Sequence, residues 1–338
     1  MIYSKEEILS FVKTTLGCED VTLGEIATSG NMTARIEDGG ELTILGATVG
    51  GKDYVIKMKS VAFETNVGDA MNYFSTSGFR ESYEKGKYIF YIRDSVNREM
   101  KVYPAFSCIK ESLPKIYGAQ SDGKRSILLM EKLDISREQN HVALGMVLRK
   151  LHAIYPLEGE ARNIGANVHV REDYINAKAL ALRLIDSIER VYPTFPRPIL
   201  ERARKGANEF GALYDKMVSY PRCLCHGDLT ANNMTTTPSV RLYDFELATY
   251  NNPEFDLVSY LVHYPTLLNK EIVEDFLCAY YEKNEDIKKE VLSLNVLLYF
   301  ITRFNAMMMI SKRVNMPYME VSIQNYIFLF DYFNLASF

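Results

Sequence analysis

Cysteine is scarce in this chain, and no two cysteines stand in a C-x-x-C spacing: the five lie at 18, 108, 223, 225 and 278 of 338 residues. Neither a disulfide framework nor a zinc site of the usual spacing can be built from them. Cys223 and Cys225 alternate as on a strand, and the cysteines read as small core residues in a reducing cytoplasm. No charge sign dominates either. The 39 Lys+Arg face 43 Asp+Glu, a formal net charge of -4, which excludes a broad cationic surface for nucleic acid and a polybasic membrane anchor. No uninterrupted apolar run approaches the ~18 residues that span a bilayer. The opening MIYSKEEILSF carries charges where a signal peptide has its apolar stretch. Internal repeats and low-complexity linkers are absent as well. What is present is globular: 47% hydrophobic and 24% charged residues, in a length that at about 150 residues per domain suggests two lobes with their own cores.

Ser4-Lys-Glu-Glu7 has the capping-box pattern, followed by Ile8, Phe11, Val12 and Leu16 at helical spacing and a stop at Gly17. From 20 to 59 four short β-prone runs (VTLGEIAT, MTARIE, ELTILGAT, DYVIKMK) are broken by Ser29-Gly30-Asn31, Asp38-Gly39-Gly40 and Gly50-Gly51, which predicts a four-stranded antiparallel meander. Helical stretches follow, then a hairpin of LPKIYGAQ and RSILLMEKL around Ser121-Asp122-Gly123. Beyond about 136 the pattern is mostly helical, with one β-like island at 222–248. A β-rich lobe feeding a helical lobe is an α+β arrangement, and the cleft between such lobes is the default ligand site.

The island holds the most specific pattern. His226, Asp228 and Asn233 are spaced H-x-D-x-x-x-x-N, and 11 positions after Asn233 comes Asp244 within Leu242-Tyr-Asp-Phe-Glu246. Phosphoryl transfer needs such a set. One carboxylate positions a hydroxyl and accepts its proton, while an amide oxygen and a second carboxylate hold hard Mg²⁺ against a triphosphate.

These motifs resemble the aminoglycoside phosphotransferase and choline kinase superfamily, the small-molecule branch of the protein-kinase-like fold. His-Gly-Asp stands where protein kinases have His-Arg-Asp, and Asp-Phe-Glu where they have Asp-Phe-Gly. The resemblance implies a bilobal protein-kinase-like fold: an N-terminal nucleotide-binding lobe with an antiparallel sheet, 1–132, and a larger mainly helical lobe, 133–338, carrying the catalytic loop, metal loop and acceptor site. It implies ATP and Mg²⁺ as the cofactors. Asp228 is then the base and Asn233 and Asp244 the metal ligands, with His226 and Asp256, of Asn252-Pro-Glu-Phe-Asp-Leu257, supporting the catalytic loop.

The likeness covers most of the chain. Val55-Ile56-Lys57 ends a predicted strand as the family's phosphate-pairing lysine does. Alternation sends Val55, Lys57 and Lys59 to one face, so Val55 can roof adenine while Lys57 reaches the phosphates, with Lys59 as the rival. Asn97-Arg-Glu-Met-Lys-Val-Tyr103 resembles the helix bearing that lysine's acidic partner, which makes Glu99 the partner; a solvated pairing with Arg98 or Lys101 is the other reading. Ile127–Leu133 resembles the strand leading into the interlobe hinge, where backbone groups of Met130, Glu131 and Lys132 would meet the adenine. Ser29, Gly30 and Asn31 fall where the phosphate-covering loop belongs, without G-x-G-x-x-G; hairpin chemistry explains the same three residues. His152, in Leu-His-Ala on an apolar helix face, reads as a packing residue.

The acceptor is less legible. The stretch 134–338 has 25 acids and 22 bases, too mild an excess to select a polycationic acceptor. Glu271, Glu274, Asp275 and Glu282 read as a solvated face, or as an ammonium-binding wall. The helix around Arg303, rich in Met and aromatic residues in a chain without Trp, reads as core or as a wall of the acceptor pocket. The expected activity is transfer of the γ-phosphate of ATP to a hydroxyl of a small molecule (antibiotic, amino alcohol, sugar or related metabolite), with no nucleic-acid or membrane partner. A protein kinase would need a peptide-docking segment after the metal loop, yet Asp244 and Asp256 are 12 positions apart. A nucleotide-binding pseudokinase is the remaining alternative, although every chemical group is present.

Overall fold

The computed structural model describes residues 2–25, 42–60, 78–90, 95–134, 138–282, 288–314 and 318–337. Helix α1 (Lys5–Leu16) opens with the expected capping box: Glu7 N donates to Ser4 Oγ at 3.2 Å and Ser4 N to Glu7 Oε2 at 2.6 Å. It stops at Gly17, whose φ of 63° admits the left-handed turn. Five strands follow: β1 (Thr22–Glu25), β2 (Leu42–Val49), β3 (Lys52–Ser60), β4 (Ile116–Ser121) and β5 (Arg125–Glu131), in the antiparallel order β1-β2-β3-β5-β4. The expected meander is thereby corrected. β1 takes β2 as its direct neighbour, with Thr22 opposite Thr48 and Glu25 opposite Leu45, so no strand from MTARIE separates them; that run and Ser29-Gly30-Asn31 lie outside the described residues.

The two faces of β3 have different fates. Tyr54, Ile56 and Met58 join Ile127 and Leu129 under α1, whose Ile8 and Val12 are fully buried there. Each such aliphatic side chain contributes about 1.5–3 kcal/mol when buried. The opposite face, Val55, Lys57 and Lys59, turns to the second lobe, and Val55 packs on the large core cluster that includes Leu128 and Met130 of the sheet and continues into the helical lobe. Between β3 and β4 run α2 (Phe79–Phe90) and α3 (Ser95–Val102), and a 3-10 stretch, Tyr103–Ser112.

Among the described residues the further α-helices are α4 (His141–Leu151), α5 (Glu158–Asn163), α6 (Arg171–Val191), α7 (Arg197–Asn208), α8 (Phe210–Val218), α9 (Glu254–Val262), α10 (Lys270–Tyr281), α11 (Lys289–Tyr299), α12 (Asn305–Val314) and α13 (Met319–Tyr332). A π turn, Phe300–Phe304, joins α11 to α12. The helical stretch Lys289–Lys312 is long and apolar enough to cross a membrane by length and composition, but 94% of its apolar window is buried inside the fold. Most of this segment is packed in the core, in keeping with the first of the two readings. The acidic face of α10 is solvated, with Glu271, Asp275 and Glu282 exposed. The cysteines divide: Cys223 and Cys225 are fully buried, whereas Cys108 is exposed. The core reading fails for Cys108 because it lies on the outer side of the 3-10 stretch, where its thiol reaches the Lys150 carbonyl at 3.5 Å.

Candidate active site

The β-like island forms two short ribbons. β6 (Cys223–Cys225) pairs with β9 (Thr249–Asn251), and β7 (Met234–Thr235) with β8 (Arg241–Leu242). Between β6 and β7 lies the loop with His226, Asp228 and Asn233; between β8 and β9 lies the loop with Asp244 and Glu246. Glycine is required at 227. Its φ is 84°, and a Cβ would stand 1.9 Å from the Leu247 carbonyl oxygen, so the two loops touch backbone to backbone there.

Asp256, fully buried at the start of α9, ties the first loop down. Its Oδ2 accepts from His226 N at 2.6 Å and its Oδ1 from Gly227 N at 2.9 Å. The Asp256 carboxyl is held below its ordinary range: burial opposes this, but the hydrogen bond and charge of His152 prevail. His152 Nε2 lies 3.0 Å from Asp256 Oδ2 and Nδ1 3.0 Å from Tyr280 Oη. Burial works against a charged imidazole here, yet Asp256 together with Cys225 outweighs it and raises His152 to about 9. The expectation of a packing histidine is therefore corrected, because a fully buried carboxylate needs a charged partner. His226 is the opposite case. Burial pushes its pKa down, Nε2 donates to the Tyr243 carbonyl at 2.9 Å, and Nδ1 accepts from Asp228 N at 3.3 Å. It is a neutral strut between the two loops.

Asp228 and Asn233 meet as the spacing predicts. Asn233 Nδ2 donates to Asp228 Oδ2 at 2.8 Å and to its carbonyl at 2.9 Å, leaving the amide oxygen to other partners. Asp228 is pushed up to about 7, by burial first and then by the negative charge of Asp244, while Arg303 on the π turn pulls the other way.

The lysines of β3 face the second loop. Lys57 Nζ is 2.6 Å from Glu99 Oε2, 2.6 Å from Asp244 Oδ1 and 3.4 Å from Glu246 Oε2; Lys59 Nζ is 3.0 Å from Glu246 Oε2. Burial disfavours the Lys57 charge, but Asp244, Glu99 and Glu246 raise its pKa well above the ordinary value. Glu246 is lowered to about 2, since Lys59 and then Lys57 overcome its burial. Glu99 and Asp244 are shifted up, by burial above all. So the strand, α3 and the second loop converge on one charge cluster, and the alternative of a solvated Glu99 is removed. Val55 stands two residues before Lys57 on the same face, opposite Met130 in the β3–β5 ladder. At the expected hinge one backbone donor is already used. Glu131 N–H donates to the Lys115 carbonyl at 2.8 Å, and its carboxylate binds Arg241 of β8 at 2.5 Å, so that N–H belongs to the sheet. Lys132 Nζ pairs with Asp53 at 2.8 Å.

The donor set suits a hard divalent cation. Glu99, Asp244 and Glu246 present carboxylate oxygens within 4.8 Å of one another, and Glu99 Oε1 is buried without a hydrogen-bond partner. Carboxylate oxygens are the hard ligands that Mg²⁺ takes, one or two of them beside water and phosphate. Sequence reading missed Glu246 as part of this cluster, although its place two residues beyond Asp244 was a signal. It also missed Tyr103, one helical turn beyond Glu99.

The model of the phosphotransferase enzyme family matches residues 91–288. No curated protein matches the chain. Among solved structures, a spectinomycin phosphotransferase in complex with ADP and spectinomycin is 15% identical with a TM-score of 0.58, over 99% of this chain and 97% of that one. A wild-type aminoglycoside 2'-phosphotransferase in complex with GDP is 15% identical with a TM-score of 0.53, over 99% and 100%. The choline kinase of Streptococcus pneumoniae is 14% identical with a TM-score of 0.53, over 98% and 99%. These likenesses establish the fold, protein-kinase-like and α+β, and the family match spans more than half of the sequence. The chain belongs to the phosphotransferase enzyme family.

Proposed function

We propose that this phosphotransferase moves the γ-phosphoryl group of ATP to a hydroxyl of a small molecule. The observation that carries the reading is the cluster joining Lys57 to Glu99 and Asp244, beside the loop that couples Asp228 to Asn233. Further support comes from the similar structures, which were solved with GDP or with ADP and an antibiotic. In this reading Val55 covers adenine, which bonds to backbone near Met130 and Lys132. Lys57, oriented by Glu99, neutralises the nucleotide phosphates. Asn233 and Asp244 would hold Mg²⁺, with Glu246 as a further oxygen donor; when bound, the ion neutralises charge on the phosphates.

Asp228 orients the acceptor hydroxyl and takes its proton as the acceptor oxygen forms its bond to the γ-phosphorus and ADP leaves. An apparent pKa of about 7 leaves much of Asp228 able to accept that proton at neutral pH. Because such a transition state is loose, positioning and charge neutralisation outweigh base strength. The acceptor belongs to the hydroxylated antibiotics, amino alcohols, sugars or related metabolites. The test is ADP release from ATP across such a panel, with and without Mg²⁺. Mg²⁺-dependent release that requires one acceptor is the expected result; absence of ATP binding and of turnover with every acceptor would remove the reading.

A further inference from the structure

The loop bearing Asp244 is held by a residue to which the sequence reading gave no role, Tyr103. Asp244 has φ 65° and ψ 57°, the left-handed region that a residue with a side chain occupies at a cost and keeps only where its surroundings hold it. Its N–H donates to Tyr103 Oη at 3.3 Å. Tyr103 is buried, and its ring meets Phe245 edge-on with centroids 5.2 Å apart. It follows Glu99 by four residues, so one turn of chain aims a carboxylate at Lys57 and a phenol oxygen at the Asp244 amide.

We propose that Tyr103 is a positioning residue for the metal loop: its hydroxyl fixes the Asp244 backbone so that the carboxylate faces Lys57 and the cation site before nucleotide arrives. Packing alone does not account for the hydroxyl, since phenylalanine offers the same ring to Phe245, and a buried hydroxyl is costly unless it is bonded. The claim about the cation rests on the kinase reading above; the claim about the Asp244 amide does not.

The test compares wild type, Tyr103→Phe and Tyr103→Leu. Hydrogen exchange is followed over Tyr243–Leu247 without nucleotide, together with the thermal midpoint and ADP affinity with and without Mg²⁺. In Tyr103→Phe the Asp244 amide should exchange about fivefold to tenfold faster, the scale of one lost hydrogen bond. The gain in ADP affinity caused by Mg²⁺ should shrink by a similar factor, while Mg²⁺-free affinity and the thermal midpoint stay close to wild type. Tyr103→Leu, which also loses the ring, should lower the midpoint as well. Unchanged exchange and an unchanged Mg²⁺ effect in Tyr103→Phe would overturn the proposal. If wild-type ADP binding gains nothing from Mg²⁺, the kinase reading and the cation part fall together, and exchange alone decides the bond.

Discussion

Two lysines on one strand face the same acids, and their roles separate by partner. Lys57 Nζ lies 2.6 Å from both Glu99 and Asp244, whereas Lys59 Nζ lies 3.0 Å from Glu246. The V-x-K spacing singled out Lys57, with Lys59 as a rival that could also be a solvated strand-end charge. That solvated reading fails, because Lys59 is only 3% exposed. Lys57→Met should lower turnover by about 10²-fold or more, the scale for removing one preorganised group that meets transition-state charge. Lys59→Met should instead act first on stability. Removing one partner of a buried ion pair costs about 3–5 kcal/mol. Glu246 is held at about 2, below the usual carboxylate range. Its pairing therefore stabilises the fold above pH ~4.5 and is lost as pH falls toward 2; the Lys59 variant should lose the larger part of this contribution and keep the part due to Lys57, 3.4 Å away. Urea denaturation of both variants at pH 7 and pH 4 checks this; a Lys59→Met protein as stable as wild type at pH 7 would contradict it.

At the scale of elements, three pieces far apart in sequence build one brace. His152 caps the C-terminus of α4, α9 supplies Asp256, and the loop after β6 supplies the amides of His226 and Gly227. The raised pKa of His152, about 9 against an ordinary 6.5, sets the sign of a pH effect. The His152–Asp256 pair stabilises the fold fully below pH ~6.5 and less as pH rises through about 9. Thermal midpoints of wild type should accordingly fall between pH 7 and pH 10, and His152→Gln, which keeps a donor without the charge, should flatten that fall. An identical pH profile in His152→Gln would refute the pairing. Asp256 as a support of the loop was legible through the resemblance, but His152 was not: a lone histidine on an apolar helix face gives no sign of a carboxylate 104 positions away. Short-range patterns fared better. The capping box at Ser4, the turn at Asp122-Gly123 and the odd-numbered face of β3 are local chemistry, and each is found where spacing placed it. The misplaced strand neighbour of β1 and the Glu131 N–H spent on Lys115 are pairing decisions, made by parts of the sheet that sequence spacing does not see.

The whole molecule is a sheet whose one face carries α1 and whose other face delivers two lysines to the helical lobe. That lobe is organised around deeply buried helices, including Lys289–Lys312; the two loops are held by Asp256 and by the packing of Phe245 against His226 and against Tyr103 and Phe106, which precede β4. In the function we propose, nucleotide and acceptor meet where the lobes face each other, between Lys57 and Asp228. The motifs of this arrangement were readable because phosphoryl transfer needs particular groups at particular spacings; the acceptor was not, because its pocket is set by surfaces gathered from several helices. The most direct test of the account uses Asp228→Asn, measuring MgATP binding by calorimetry and phosphoryl transfer to a confirmed acceptor in the same preparation. The account predicts nearly intact binding with turnover reduced by about 10²–10⁴, the range for a positioned acid–base group. Wild-type turnover in Asp228→Asn, or a loss of MgATP binding in place of turnover, would contradict it.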